Sequence, residues 1–288
     1  MRIPALSITA LLALGLLPTA QAQQGVSLAT GLTDFTSWTL AGSANALNET
    51  PGNGFTYSNL ALTSTGTGGQ AGSGFAPTAL VMDFNQAFHF DFHFFIPSNV
   101  GGLRGDGMTF TLAAAPGLGG GGSGLGYENL NPASVAFAID TFHFEGEPVS
   151  PSLQILAGGS VAPLSATETG LGDAIRNPNF QWYAQVDYLP SGNNDQAGVL
   201  TGRIEHLNLG IFSVAAAVDF GALGLDGSAV HYGFTASNGL ATDGHWVTSA
   251  IPVPEPQSWA LLLAGLAAVG LLAQRRRGRG CGAPGTRP

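Results

Sequence analysis

Residues 87–95 alternate along their whole length: Phe88, Phe90, Phe92 and Phe94 fall on one face of an extended chain, with His89, Asp91 and His93 on the other. Period two is the signature of a strand with one buried face, so this segment is the clearest strand in the chain. Shorter apolar runs at 59–64, 107–113, 134–142, 180–188, 198–207, 211–218 and 230–236 read the same way, each bounded by Gly, Pro, Asn, Ser or Thr. No helical period separates them, and 162–175 holds one helical turn at most. Many short strands at close spacing predict an all-β domain, a single sandwich of two antiparallel sheets of the jelly-roll kind. With 43 glycines and 17 prolines among 288 residues, long helices would be interrupted throughout, whereas short strands tolerate this composition.

Two apolar stretches stand outside the pattern. Met1-Arg2, the apolar run 5–17 and the small-residue site Ala20-Gln21-Ala22 read as a secretory signal peptide over 1–22. At the other end, Val253-Pro254-Glu255-Pro256 precedes an apolar helix over 259–273, an arginine cluster at 275–279 and a tail at 280–288. Fifteen helical residues cover about 22 Å of a hydrocarbon layer about 30 Å thick, a marginal span. The arginines behind it hold that end on the cytoplasmic side and leave everything before Val253 outside. This Pro-Glu-Pro, short helix and arginine cluster resembles the PEP-CTERM sorting signal of Gram-negative bacteria. The resemblance implies transient anchoring in the inner membrane, processing by an exosortase-type enzyme, and a cell-surface or extracellular destination. The folded body is then 23–252.

Charge narrows the partners. Between residues 23 and 252 there are 17 acidic residues and only three basic ones, Arg104, Arg176 and Arg203, and the chain contains no lysine. Such a body repels nucleic acid, whose phosphates need clustered Lys and Arg. The one cysteine, Cys281, lies in the tail, so the exported body is held by its core and not by disulfides. The glycine run 117–126 lacks the Lys-Ser or Lys-Thr of a phosphate-binding loop, which excludes nucleotide binding and leaves a flexible loop or a close backbone approach to a ligand.

Several blocks in order resemble the legume-type (L-type) lectin domain: Leu60-Ala61-Leu62-Thr63-Ser64, Gly69 to Phe75, Phe88 to Phe95, and Gly105-Asp106-Gly107-Met108-Thr109-Phe110. After these come the glycine loop, Val135 to Phe142, Trp182 to Tyr188 and Gly233 to Gly239. The resemblance covers about 30–250 and implies a concanavalin-like sandwich with a site on one rim of a curved sheet. It places Asp106 as acceptor of sugar hydroxyls, Gly122, Ser123 and Gly124 as candidate backbone donors, Phe142 as an aromatic neighbour, and the loop 240–244, with Thr242 and Asp243, as the specificity loop. An ionised carboxylate accepting from two neighbouring hydroxyls makes strong charge-assisted bonds, which is why Asp suits the first role.

The metal pattern of that family is mostly missing. Where it carries Glu, Asn, Asp and His around a retained Asp, this chain has Ala138, Phe144, Glu147 and Ser152 or Leu153 around Asp140. Calcium takes six to eight oxygens, so Asp140 and Glu147, helped by Glu145 and backbone carbonyls, make a weak calcium site at best. No transition metal is expected. His89 and His93 lie about 13 Å apart along one strand, too far to share an ion, and read as a solvated face. Glycosidases of this architecture place two carboxylates on one strand, two residues apart; here Asp140 stands between Ala138 and Phe142. No nucleophile elbow is present. The reading is therefore a non-catalytic exported protein that binds a glycan or exopolysaccharide; the alternative is a structural surface protein on a lectin fold that has lost sugar and metal binding, with a glycoside hydrolase a more distant third.

Overall fold

The computed structural model describes residues 24–28, 33–50, 55–98, 102–177, 179, 181–225, 227 and 229–252. The expected signal peptide, and the expected C-terminal helix with its arginine cluster, fall on residues outside those described. Among those described, every regular element is a strand or a short 3₁₀ turn.

The back sheet contains β1 (Gln24–Ser27), β3 (Asn45–Glu49), β4 (Phe55–Thr63), β6 (Phe88–Phe95), β11 (Trp182–Pro190), β12 (Ala197–His206), β13 (Gly210–Asp219) and β15 (His245–Pro252). Its order is β13-β12-β11-β6-β15-β4-β3, with β1 pairing parallel to the first half of β6. The front sheet contains β2 (Thr39–Gly42), β5 (Gln70–Phe75), β7 (Gly107–Ala113), β8 (Ser134–Asp140), β9 (Ser152–Ala157), β10 (Ser160–Glu168) and β14 (His231–Asn238). Its order is β10-β9-β8-β7-β14-β5-β2, antiparallel throughout.

The period-two reading of β6 translates directly into the core. Phe88, Phe90, Phe92 and Phe94 are all fully buried between the sheets, each stabilising the fold by about 1.5–3 kcal/mol. Phe92 packs on Phe110 and Phe234 of the front sheet, with ring centroids 5.8 Å and 4.8 Å away. Across the sandwich the ring of Phe137 in β8 lies against Gly202 of β12, so closely that a Cβ there would fall 2.0 Å from it.

Strands β7 and β8 are buried on both faces, unlike β6. Their outer face is covered by the glycine-rich segment, from which Leu125 and Tyr127 pack with Ala136, Ala138 and Leu156 in a second, smaller core. This explains why these strands read as nearly continuous apolar runs. The glycine segment is thus folded and not a free linker: the Gly119 amide donates to Gly126 O at 2.7 Å, the Gly126 amide to Gly120 O at 2.8 Å and the Gly120 amide to Glu128 O at 2.8 Å.

Two expectations change. The first half of 162–175 is strand β10, and the helical turn is a 3₁₀ turn at Gly172–Arg176. β10 was hidden because its residues are mostly exposed and small or polar, so no apolar alternation marks it. The outer face of β6 is also not simply solvated. Asp91 is 9% exposed and accepts from Tyr183 Oη at 2.7 Å, while His89 Nδ1 lies 2.7 Å from Asp187 Oδ1; a polar network between neighbouring strands covers that face.

Candidate functional site

The front-sheet rim gathers three chain turns: the approach to β7 at 102–106, the 3₁₀ turn Gly122–Gly124 and the connection between β14 and β15 at 239–244. Asp106 ends the first of these. Its amide donates to Ser237 O at 2.9 Å, and its carbonyl accepts from the Thr141 amide at 2.8 Å, so the backbone is fixed between β14 and the end of β8. The Gly105–Asp106 peptide bond is cis. Asp106 Oδ2 accepts the Gly239 amide, while Oδ1 accepts no hydrogen bond from any described residue. Burial pushes this carboxyl above the usual Asp range, the Gly239 amide opposes that, and the charges of Glu147 and Asp243 add to the rise.

In front of Asp106 lies a cavity of about 280 Å³ lined by Leu103, Arg104, Gly122, Ser123, Phe142, Phe144 and the residues 239–241. A second hollow of about 510 Å³ adjoins it, sharing Leu103, Arg104 and Phe142 and adding His143, Ser150 and Asp173. A Cβ at Gly239 would stand 2.9 Å from Asp106 Oδ2, close enough to push that carboxylate aside. Phe142 and Phe144 lie at a tilt with centroids 6.1 Å apart, and Phe144 is 59% exposed, forming a wall and not a plug.

The structure brings Asp106, Gly122, Ser123 and Phe142 together around one cavity. Gly124 lies behind it: its amide donates to Gly121 O at 3.1 Å and its carbonyl accepts from Tyr127 and Glu128. Thr242 is outside the wall, its carbonyl accepting from Gly66 at 2.9 Å. Asp243 is fully buried below the loop, with Oδ1 accepting from Arg176 Nη2 at 2.8 Å and Oδ2 from the Gly105 amide at 3.0 Å. Leu240 and Ala241 take the places at the cavity that the sequence reading gave to Thr242 and Asp243.

Asp140 points away from the cavity. Its Oδ1 accepts from the Phe142 amide at 2.9 Å and its Oδ2 from Gln154 Nε2 at 2.8 Å. Burial raises its pKa to about 7, with Glu147 and Asp106 adding to the rise while the Phe142 and Gln154 donors oppose it. Glu147 Oε2 accepts the Phe144 amide at 2.8 Å. Asp140 and Glu147 are thus the only two acidic groups of the expected calcium set that act on one another, and both have N–H donors on them. Among the described residues no group of three or more His, Cys, Asp or Glu side chains is placed to hold a metal ion. Two carboxylates, each already accepting an N–H, fall well short of the six to eight oxygens calcium takes, so among the described residues the donor set does not fit that ion.

Leu103, Arg104 and Gly239 were not anticipated in the cavity wall. Arg104 carried a usable signal: it is one of three basic residues in the body and stands two residues before Asp106.

Comparison with solved structures defines the class. The sandwich is similar to basic winged bean lectin, solved with the Tn-antigen, at 23% identity and a TM-score of 0.58 over 77% of this chain and 95% of that one. It is similar to Lotus tetragonolobus seed lectin at 20% identity and a TM-score of 0.58, covering 78% and 97%. The metal-free form of lectin I-B4 from Griffonia simplicifolia matches at 22% identity and a TM-score of 0.56, covering 75% and 93%. The body therefore has the legume-lectin fold. Residues 252–277 match the PEP-CTERM protein-sorting motif, which indicates export by way of a membrane-anchored sorting signal. No curated protein matches the chain.

Proposed function

We propose that the exported sandwich binds a glycan at the rim cavity and performs no chemistry on it. The observation that carries this is the single carboxylate of Asp106 opening into a cavity of about 280 Å³ beside Gly122, Ser123 and the ring of Phe142. Oδ1 is an uncommitted acceptor for a sugar hydroxyl, Phe142 offers an apolar face to the C–H side of the ring, and the glycine turn lets the backbone approach closely. Because the two hollows share Leu103, Arg104 and Phe142, the cleft has room for more than one sugar unit. An oligosaccharide or exopolysaccharide chain is the better fit than a monosaccharide. Asp140 is bound by Gln154 and the Phe142 amide and does not face Asp106 across the cavity, which supports a non-catalytic reading.

A second reading has its own observation. Phe144 and Leu240, at 59% and 93% exposed, give the cavity an apolar mouth, and such a surface also suits a structural protein that has kept the fold and acts through packing. A glycan array with the full chain, beside Asp106→Ala, separates the two. Binding lost in the variant supports the glycan site; a blank array from folded protein favours the structural role. The sorting motif supports, as part of the same reading, anchoring in the inner membrane, cleavage of the tail by an exosortase-type enzyme and release to the cell surface. They are tested by the mass and compartment of the mature chain.

A further inference from the structure

The loops around the cavity converge on a buried guanidinium. Arg176, 4% exposed, closes the 3₁₀ turn at Gly172–Arg176. Its Nη2 donates to Asp243 Oδ1 at 2.8 Å and to Leu103 O at 3.3 Å, its Nη1 to Asp173 Oδ1 at 3.0 Å, and both nitrogens lie 3.5 Å from Gly102 O. One side chain therefore reaches the 102–105 approach, the 239–244 connection and its own turn.

Asp243 extends the connection. Its Oδ2 holds the amide of Gly105, next to Asp106, and its carbonyl accepts from Asn238 Nδ2 at 2.9 Å and Thr63 Oγ1 at 3.0 Å. Asn238 also donates to Thr67 O at 2.7 Å and accepts the Gln70 amide at 2.9 Å. Gly239, the next residue, donates to Asp106 Oδ2. Every link from Arg176 to the acceptor in the cavity is thus a hydrogen bond or one peptide unit.

Drawing carbonyls and carboxylates from separate loops around one positive charge is what a divalent cation does in a protein. A guanidinium supplies the charge and five donors in a planar fork, and here it gathers two carbonyls and two carboxylates. The neighbouring place around Asp140 is poor in oxygen for a cation: Ala138 and Phe144 have no donor oxygen on their side chains, and each Asp140 oxygen already accepts one N–H, from Phe142 and from Gln154. We infer that Arg176 is the positioning residue of the cavity, fixing Asp106 and the 239–244 connection through Asp243, so that the order of the site is independent of divalent cations. This rests on the proposed function only for what the site is used for; the positioning itself is measurable without a sugar.

The test is amide hydrogen exchange and thermal unfolding of the full chain in millimolar calcium and in chelator, for wild type, Arg176→Lys, and the double variant Arg176→Met with Asp243→Asn. The double variant leaves no unpaired buried charge and keeps an acceptor for Gly105, so it separates positioning from the destabilisation that a lone charge would cause. In wild type, exchange in 102–106 and 239–244 is the same in calcium and chelator. In the double variant those two segments exchange about tenfold faster or more while β6 and β11 stay protected, and Arg176→Lys, which keeps the charge without the fork, falls between. Calcium that slows exchange in those segments of the wild type, or full protection in the double variant, overturns the inference. A blank glycan array beside the expected exchange pattern would sink the ligand reading alone, and calcium-dependent exchange beside specific glycan binding would sink the clamp alone.

Discussion

Replacing Asp140 with Asn should stabilise the protein at neutral and alkaline pH and do little in acid. The carboxyl has a pKa of about 7 in the fold against 3.8 for an unperturbed Asp. Between these values the folded state holds a proton that the unfolded state has lost, so stability falls as pH rises through that window and levels off above it. A gap of roughly three units at 1.36 kcal/mol each sets an upper figure of about 4 kcal/mol. Asn keeps an oxygen for the Phe142 amide, and its Nδ2 then faces Gln154, whose amide can turn to present Oε1. No charge remains to desolvate, and the shape is unchanged. Urea unfolding of both proteins at two pH values gives the answer: we expect the variant to be more stable by about 2–4 kcal/mol near pH 8, and equal within about 0.5 kcal/mol near pH 4. Parallel stability at both pH values, or a variant weaker near pH 8, would refute the account of Asp140 as a buried carboxyl without a cation.

Other perturbations test other parts. Asp106 offers charge-assisted acceptors to hydroxyls only when ionised, and burial raises its pKa, so glycan retention should fall on acidification at a pH above the ordinary Asp range, as read by a pH series on an immobilised ligand. Gly202→Ala puts a Cβ into the Phe137 ring and should cost about 1–3 kcal/mol by overpacking, measured as a lower unfolding midpoint. Phe92→Ala, at the centre of the ring cluster with Phe110 and Phe234, should cost about 3–5 kcal/mol in chemical denaturation. Phe142→Ala should weaken glycan binding several-fold with little effect on the unfolding midpoint, because its ring lines the cavity and lies outside the main core.

The sandwich was legible where one face of a strand is buried and the other is not. β6 announces itself through four phenylalanines at period two, and all four are in the core. β10 gave no such signal because neither face is well buried, and its serines, threonines and alanines read as loop. At the site, Asp106 and the glycine turn were visible because each lies in a short block of sequence that resembles the lectin family. Leu103, Phe144 and Gly239 come to the cavity from three separate segments, and their meeting depends on sheet register, such as Gly107 opposite Asp140 and Ser237 opposite Gly107. Asp243 was expected at the ligand because it sits in the right loop, yet the loop turns two residues earlier, at Leu240 and Ala241, and leaves the Asp243 side chain on the guanidinium below.

The electrostatics of the cleft follow from a shortage of cations. Asp106, Asp140, Glu147, Asp173 and Asp243 act on one another along this rim, with Arg104 and Arg176 as their basic neighbours. A buried carboxyl must find a cation, find N–H donors, or keep its proton. Asp243 has Arg176, Asp106 has the Gly239 amide, and Asp140, with amide donors alone, keeps its proton up to about pH 7. The end of the cleft beside Asp106 is therefore negative, which welcomes the hydroxyls of a neutral sugar and repels an acidic one. Arg104 stands where the two hollows join; its Nε is 3.4 Å from Asp173 and its Nη1 donates to Ser150 O at 3.5 Å, while Nη2 meets no acceptor among the described residues. On the proposed function, a glycan lying along both hollows would place a neutral unit against Asp106 and Phe142 and an acidic unit, where the chain has one, against Arg104.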